Sequence, residues 1–296
     1  VLKRRRNHAA RAEEIRMATT AMPETHAAAR QVTSSVNYVA ATADRPRYHA
    51  NDSSRDTIVI EPTTIAIEDA RDSLDPPRLD REGFALVEHV SAIADFRDRE
   101  EVTRVHPEEI RQLLLRVSGA DEVVISGPGV LRFGERSKLS GALDNSRPAR
   151  FVHIDVSDAT AAQFATRSSP RPGQVPKRAC SYNVWRTFSA PPQDTPLTLC
   201  DARTVAPQDL ILADAVFDAV DKPEWSFEGL VIARNPDHRW VYASDMTRDE
   251  VWVFVTNDSD PANPHNVPHS AFDDPTCPAD AVPRSSIEMR GIAYWY

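Results

Sequence analysis

Val152-His153-Ile154-Asp155 sets a histidine and a carboxylate two residues apart inside an apolar, β-prone run. In a strand, alternate residues share a face, so His153 and Asp155 project together while Val152 and Ile154 point the other way. One imidazole and one carboxylate side by side, joined by a third ligand from elsewhere, make the facial set that holds non-haem Fe(II) and leaves coordination positions open. A lone His-x-Asp is common in strands and by itself reads as a hydrogen-bonded or surface pair. Its weight depends on what surrounds it.

Downstream the pattern is mainly β. Phe151 to Val156 reads as the opening strand and Asp158 to Thr166 as a short helix, followed by a Pro-rich loop from Arg167 to Lys177. Ser181–Phe188, Leu197–Cys200, Gly229–Ala233, Trp240–Ala243, Val251–Thr256 and Ser286–Tyr296 follow as strands, with helical signal only near Gln208 to Phe217. Many short strands separated by turn chemistry predict a sandwich or barrel-like jelly roll. Upstream, Val36–Val39, Thr57–Ile60 and Ile65–Ala70 read as short elements, and Asp80 to His89 as a turn delivering a strand. Ile110, Leu113, Leu114 and Val117 recur at helical spacing, with Pro107 suited to a first helical position and Gly119 to a stop. Val123-Val124-Ile125 is expected as a short buried strand, and 127–148 as a loop lying over the His-x-Asp strand.

At 296 residues the chain can bury a sizeable core. A net charge of -9 argues against nucleic acid or an anionic membrane as the main partner. No apolar run approaches the ~20 residues of a membrane span, and no apolar stretch follows the basic start at Lys3 to Arg6, so no secretory signal is expected. Cys180, Cys200 and Cys277 match no zinc or disulfide framework, and reduced thiols in a cytoplasmic protein are the default. Residues 1–31, polar and Ala-rich, are expected to form a disordered or loosely helical tail, with 32–296 as one domain. The 9 glycines and 23 prolines favour long irregular connections over a Gly-rich phosphate loop.

The third ligand should be a later histidine, and only His238, His265 and His269 follow the pair. His238 sits in the turn sequence Asn235-Pro236-Asp237-His238 and reads as solvated. His269, soon after the Val251–Thr256 strand, is the better candidate, with His265 as fallback. A 2-oxo-acid co-substrate would need a cation for its far carboxylate, and arginine suits because its planar fork grips a carboxylate bidentately and stays charged when buried. The last strand carries Arg284, Ser286, Glu288 and Arg290 on one face. Apolar neighbours at Ile292, Tyr294 and Trp295 favour a polar network inside a barrel, with Glu288 pairing an arginine.

Six ordered stretches carry a family resemblance: Val152 to Asp155, Tyr182-Asn183-Val184-Trp185-Arg186, Leu199 to Arg203, Asn235-Pro236 with Arg239-Trp240, Pro268 to Pro275, and Arg284 to Arg290. Asn37-Tyr38 and Asp80 to Phe84 extend it back to about residue 36. In these the chain resembles the Fe(II)/2-oxoglutarate-dependent oxygenases of bacterial and fungal secondary metabolism, the CmcJ/AsaB/gibberellin-desaturase-like group. The resemblance implies a double-stranded β-helix (jelly-roll, cupin-like) core with flanking helices, and Fe(II) held by His153, Asp155 and His269. It implies 2-oxoglutarate anchored by Arg284 and Ser286, with Arg290 reaching its other end or the substrate. It places Asn183 and Arg186 as tentative substrate contacts, with Trp185 in the core.

The implied reaction consumes O2 and 2-oxoglutarate, releases succinate and CO2, and hydroxylates, desaturates or cyclises a small secondary metabolite at an unactivated C–H. Competing readings are an iron oxygenase that needs no 2-oxoglutarate, and a non-catalytic partner subunit; a homodimer or a heteromeric partner stays open. The chain departs from the family pattern at Val156-Ser157, where an aromatic residue and Thr are usual, and at Thr187, where Pro is usual.

Overall fold

The computed structural model describes residues 30–296, so the expected tail lies outside the described residues except for its last two positions. Of these, Gln31 already opens a strand. Strands β1 (Gln31–Val39), β2 (Arg47–His49), β3 (Ile60–Asp69) and β4 (Phe84–Glu88) precede helix α1 (Arg99–Ser118). Then come β5 (Glu122–Phe133), β6 (His153–Ile154), α2 (Asp158–Arg167), β7 (Arg178–Thr187), β8 (Leu197–Cys200), β9 (Leu210–Phe217), β10 (Trp225–Ile232), β11 (Trp240–Tyr242), β12 (Glu250–Asp258), β13 (His269–Ala271) and β14 (Ser285–Trp295).

Two sheets face each other. One runs β4-β12-β7-β14-β5 and the other β1-β3-β11-β8-β13-β6-β10-β9-β2. From β5 onward the chain crosses repeatedly between the sheets: β5, β7, β12 and β14 lie in the first, and β6, the run β8 to β11, and β13 in the second. The chain thus winds as a double-stranded β-helix, the mainly-β jelly roll expected from the strand spacing. The β9–β10 hairpin extends the second sheet past β6. Helix α1 covers the outer face of the first sheet, where Ile110, Leu113 and Leu114 pack with Met289, Ala293 and Val123. A second apolar cluster joins Val32, Val36 and Tyr38 of β1 to Val152, Ile154 and Leu230. The apolar partners of the His-x-Asp pair therefore face away from it, as alternation requires.

Several expected boundaries move, each for a local reason. The expected element at 57–60 contributes only Ile60, which joins 65–69 in one ten-residue strand, β3, zipped to β1 from Gln31↔Glu68 to Val39↔Ile60. Helix α1 starts eight residues before Pro107, because Asp98 caps it by accepting hydrogen bonds from the backbone N–H groups of Glu100 and Glu101. Pro107 sits inside the helix and leaves the Thr103 carbonyl without its donor; Thr103 is exposed, so water can take that place. Gly119 ends the helix at φ 66°, as expected.

Strand β5 does not stop at Ile125 but continues to Phe133 through Gly127-Pro128-Gly129. Those three residues bulge opposite Met289: the register runs Arg290↔Ser126 and then Glu288↔Val130. Gly127 takes φ 76°, and a Cβ on Gly129 would stand 2.7 Å from Ile287 Cδ1. The loop over the His-x-Asp strand accordingly begins at Gly134. Residues 210–217 form strand β9, not a helix, because they pair along their length with β10; the 3-10 turn Pro207–Asp209 leads directly into them. The opening strand expected over 151–156 shrinks to the two residues of β6. Pairing stops there because Ser157 turns the chain away to cap α2.

Candidate metal centre

His153, Asp155 and His269 converge in one buried group whose ligand atoms lie within 4.8 Å of one another. Strand β6 runs between β10 and β13, and His153 pairs directly with His269 across the ladder. Their ring centroids stand 4.2 Å apart. Asp155 lies just past the end of β6, and its side chain still shares the side of His153. Each imidazole is oriented by a bond from Nδ1 to the carbonyl two residues before it, Phe151 O at 2.9 Å and Val267 O at 3.3 Å. With Nδ1 donating, Nε2 is the lone-pair nitrogen left to the site.

The electrostatics favour metal ligation. Burial, and then the neighbouring His269, push the His153 imidazolium down to about 3, and burial lowers that of His269. Both rings stay neutral, the form that ligates a metal. Burial works against the charge on Asp155, but Arg290, the two histidines and the Asn183 amide outweigh it and hold its carboxyl well below the usual range. Arg290 Nη2 donates to Asp155 Oδ1 at 2.9 Å and lies 2.7 Å from Glu288 Oε1. Asn183 Nδ2 donates to Asp155 Oδ2 at 2.5 Å. Two neutral nitrogens and one ionised carboxylate on one side of a buried site are a donor set that fits Fe(II).

This group opens on a cavity of about 720 Å3 whose wall includes His153, Asp155, Arg290 and Arg132. Tyr48, Phe151, Phe217 and Phe227 contribute aromatic faces to a wall that also carries polar residues such as Asn51, Asp56, Asn145 and Arg150.

The other sequence-derived candidates separate. Asn183 and Arg290 meet the group through Asp155. Arg284 and Ser286 are buried on the same face of β14 as Arg290. Arg284 Nη1 donates to Thr195 O at 2.7 Å, its guanidinium lies over the Trp185 ring, and its Nε is buried without a partner. Ser286 Oγ donates to Arg132 O. Arg186 points to the opposite face of β7: it bonds the His89 and Arg248 carbonyls, lies over Phe96 and reaches no cavity residue. Three positions from Asn183 on a strand, it must face the other way. His238 is not solvated. Its Nδ1 pairs with Tyr38 Oη at 3.0 Å and its Nε2 with Asp209 at 3.1 Å, inside a buried network. His265 is half-buried outside the group.

Two residues went unread. Arg132 lay in what the sequence presents as loop. Gly229 lies on β10 where the backbone passes close: a Cβ there would stand 2.9 Å from Asp155 O and 3.0 Å from Tyr48 Oη. A glycine inside an apolar strand run, in a chain with few glycines, was the available signal. Gly229→Ala should push the Asp155 backbone outward and weaken metal affinity by about 10-fold or more, the scale of outer-shell disruption. Metal titration beside a melting curve checks this, and unchanged affinity would show that the site relaxes around the methyl group.

Fold and site together define a jelly-roll protein with a buried group of two histidines and one carboxylate that could hold a metal ion. A family model described as an oxidoreductase/YMDC permease-like domain matches residues 36–294, and the chain belongs to that family. Among the described residues no helix is long and apolar enough to cross a membrane. Oxidoreductase clz16 of Cochliobolus lunatus is 29% identical over 264 residues, 82% of this chain and 88% of the relative. The Fe(II)/2-oxoglutarate-dependent dioxygenase nvfI of Aspergillus novofumigatus is 29% identical over 240 residues, 79% of this chain and 84% of the relative. The solved structure of the iron and alpha-ketoglutarate-dependent endoperoxidase NvfI superposes with a TM-score of 0.75 at 26% identity, over 90% of this chain and 98% of that one. The resemblance carried by the ordered motifs is thereby borne out.

Proposed function

We propose that the chain holds Fe(II) through His153, Asp155 and His269 and, with 2-oxoglutarate and O2, oxidises a C–H bond of a small secondary metabolite, releasing succinate and CO2. The observation that carries this is the buried donor set opening on a cavity large enough for a co-substrate and a small molecule. Bound Fe(II) supplies the centre at which O2 is reduced with the electrons released by oxidative decarboxylation of the 2-oxo acid.

The chain's own residues do the rest. The carbonyls of Phe151 and Val267 fix both imidazoles with Nε2 inward, Asn183 and Arg290 hold the Asp155 carboxylate, and the aromatic faces of Tyr48, Phe151, Phe217 and Phe227 receive the apolar part of the substrate, which displaces water from the cavity. The buried, partnerless Nε of Arg284 supports that residue as anchor for the far carboxylate of 2-oxoglutarate. Arg290 is committed to Asp155 and Glu288 and acts as a positioning residue. Asn183 likewise positions Asp155, so substrate contact is assigned to neither Asn183 nor Arg186. Hydroxylation is the default outcome; desaturation, cyclisation and endoperoxide formation are variations on the same C–H abstraction. Residues 32–296 act as one domain, and the free thiols Cys180, Cys200 and Cys277 support a reducing, cytoplasmic setting.

Anaerobic protein with Fe(II) and 2-oxoglutarate should show the weak metal-to-ligand charge-transfer band in the visible region, and air should then release succinate. A band absent at saturating Fe(II) and 2-oxoglutarate would leave an oxygenase that needs no 2-oxoglutarate, or a non-catalytic partner subunit, as the reading.

A further inference from the structure

Arg132 is a half-buried cation on the cavity wall with no counter-ion among the described residues. It stands opposite Ser286 in the β5–β14 ladder, so it shares the inner face with Ser286 and is a diagonal neighbour of Arg284. The acids around the two arginines are already engaged. Glu135 pairs with Arg150 at 2.6 Å, Asp194 with Arg136 at 3.1 Å, and Glu288 with Arg290 at 2.7 Å. Among the described residues neither Arg132 nor Arg284 forms an ion pair. Burial and then the Arg132 charge push the Arg284 guanidinium down to about 9, so the two cations destabilise each other. A fully buried guanidinium beside a half-buried one, with no acid paired to either, is costly unless an anion belongs there.

The hydrogen bonds of Arg132 are one-sided. All come from Nη1, to Asn145 O at 3.4 Å, Asn145 Oδ1 at 3.0 Å and Arg147 O at 2.8 Å. These acceptors belong to the 134–150 segment, which is further tied by the Asn145 N–H to Asn51 Oδ1 at 2.7 Å. Its Nε and Nη2 form no hydrogen bond among the described residues, leaving that edge of a bidentate fork for the cavity.

We propose that Arg132 and Arg284 clamp the far carboxylate of 2-oxoglutarate between them, and that Arg132, holding residues 145–147 with its other edge, ties co-substrate binding to ordering of the 134–150 segment over the cavity. This rests on the 2-oxoglutarate reading above. It makes Arg132 a binding residue on a strand where the sequence shows no site, and it makes the segment responsive to the co-substrate before any substrate arrives.

The test compares 2-oxoglutarate with pyruvate, a 2-oxo acid lacking the far carboxylate, on anaerobic Fe(II)-loaded wild type, Arg132→Gln and Arg132→Lys. Two readouts are followed: the charge-transfer titration, and trypsin cleavage after Lys138, an exposed residue of the segment. Arg132→Gln should weaken 2-oxoglutarate by about 30-fold or more, the scale for losing one partner of a buried charge pair, and pyruvate by less than about 3-fold. Arg132→Lys, which keeps charge and fold, should fall between. In wild type, 2-oxoglutarate should slow cleavage after Lys138 and pyruvate should not; in Arg132→Gln neither should. Unchanged 2-oxoglutarate affinity in Arg132→Gln overturns the clamp, including the case in which Arg132 serves a carboxylate of the substrate instead. Equal losses for both acids overturn it too, since Arg132 would then support the site and not the far carboxylate. If wild type itself gives no band with either acid, the 2-oxoglutarate reading fails, a result separate from the other two.

Discussion

Asp155→Ala is expected to abolish Fe(II) retention and 2-oxoglutarate-dependent succinate release while leaving the fold intact. Losing a ligand must cost more than the ~10–100-fold in affinity that follows from disturbing a ligand's supports. The geometry adds to this. Without the carboxylate, the charges of Arg290 and Glu288 cancel beside two neutral imidazoles, so the site keeps no net negative charge to attract a divalent cation. The fold should survive because Arg290 keeps its contact with Glu288 and the removed side chain belongs to no apolar cluster. Metal content after gel filtration, together with a melting curve, separates the two effects. Full iron occupancy in Asp155→Ala would remove Asp155 from the ligand set. His153→Ala and His269→Ala should behave alike, with a larger packing cost for His269, whose ring also lies 4.8 Å from that of Phe254.

How far the site could be read in advance depended on how local its cause was. Alternation in Val152–Asp155 is enforced by the backbone itself, so the facing of His153 and Asp155 holds even though β6 is only two residues long. His269 could be placed by order because a jelly roll returns its strands in a fixed sequence. The same strand logic predicted an interior face for Arg284, Ser286, Glu288 and Arg290, and all but Arg290, which turns toward the cavity, are buried.

What was illegible depends on partners distant in the chain. Gly127-Pro128-Gly129 has the composition of a turn, and only a neighbouring β14 able to absorb a bulge keeps it in a strand; Arg132 went unread with it. The apolar run of β9 satisfies helical and strand periods equally, and β10 decides between them. His238 sits in a turn by sequence, but Tyr38 of β1, two hundred residues earlier, accompanies it into the interior.

Arg290→Gln should have the largest effect on stability, and an effect that depends on metal. Arg290 Nη2 bridges two carboxylates, Asp155 Oδ1 at 2.9 Å and Glu288 Oε1 at 2.7 Å, and its Nε donates again to Glu288. Removing it leaves two buried like charges close together. Breaking a buried pair in this way costs about 3–5 kcal/mol. The Arg290 side chain is 28% exposed to the cavity, where water can enter, so roughly 2–3 kcal/mol is the better expectation here.

A divalent ion at the site restores a positive partner to Asp155, so Mn(II) or Fe(II) should raise the melting temperature more in the variant than in wild type. The sign of the pH response follows. In the intact protein Arg290 helps hold the Asp155 carboxyl below its ordinary value, so the carboxylate stays ionised throughout the neutral and mildly acidic range. In Arg290→Gln burial acts with less opposition, the carboxyl rises, and protons compete with the metal as pH falls. Metal affinity of the variant should therefore drop more steeply between pH 8 and pH 6 than that of wild type. Adding Glu288→Gln to Arg290→Gln should recover part of the lost stability, since one of the two uncompensated charges is gone. A variant as stable as wild type without metal, or one whose metal affinity is equally flat with pH, would show that water in the cavity already screens Asp155 and that Arg290 is dispensable to it.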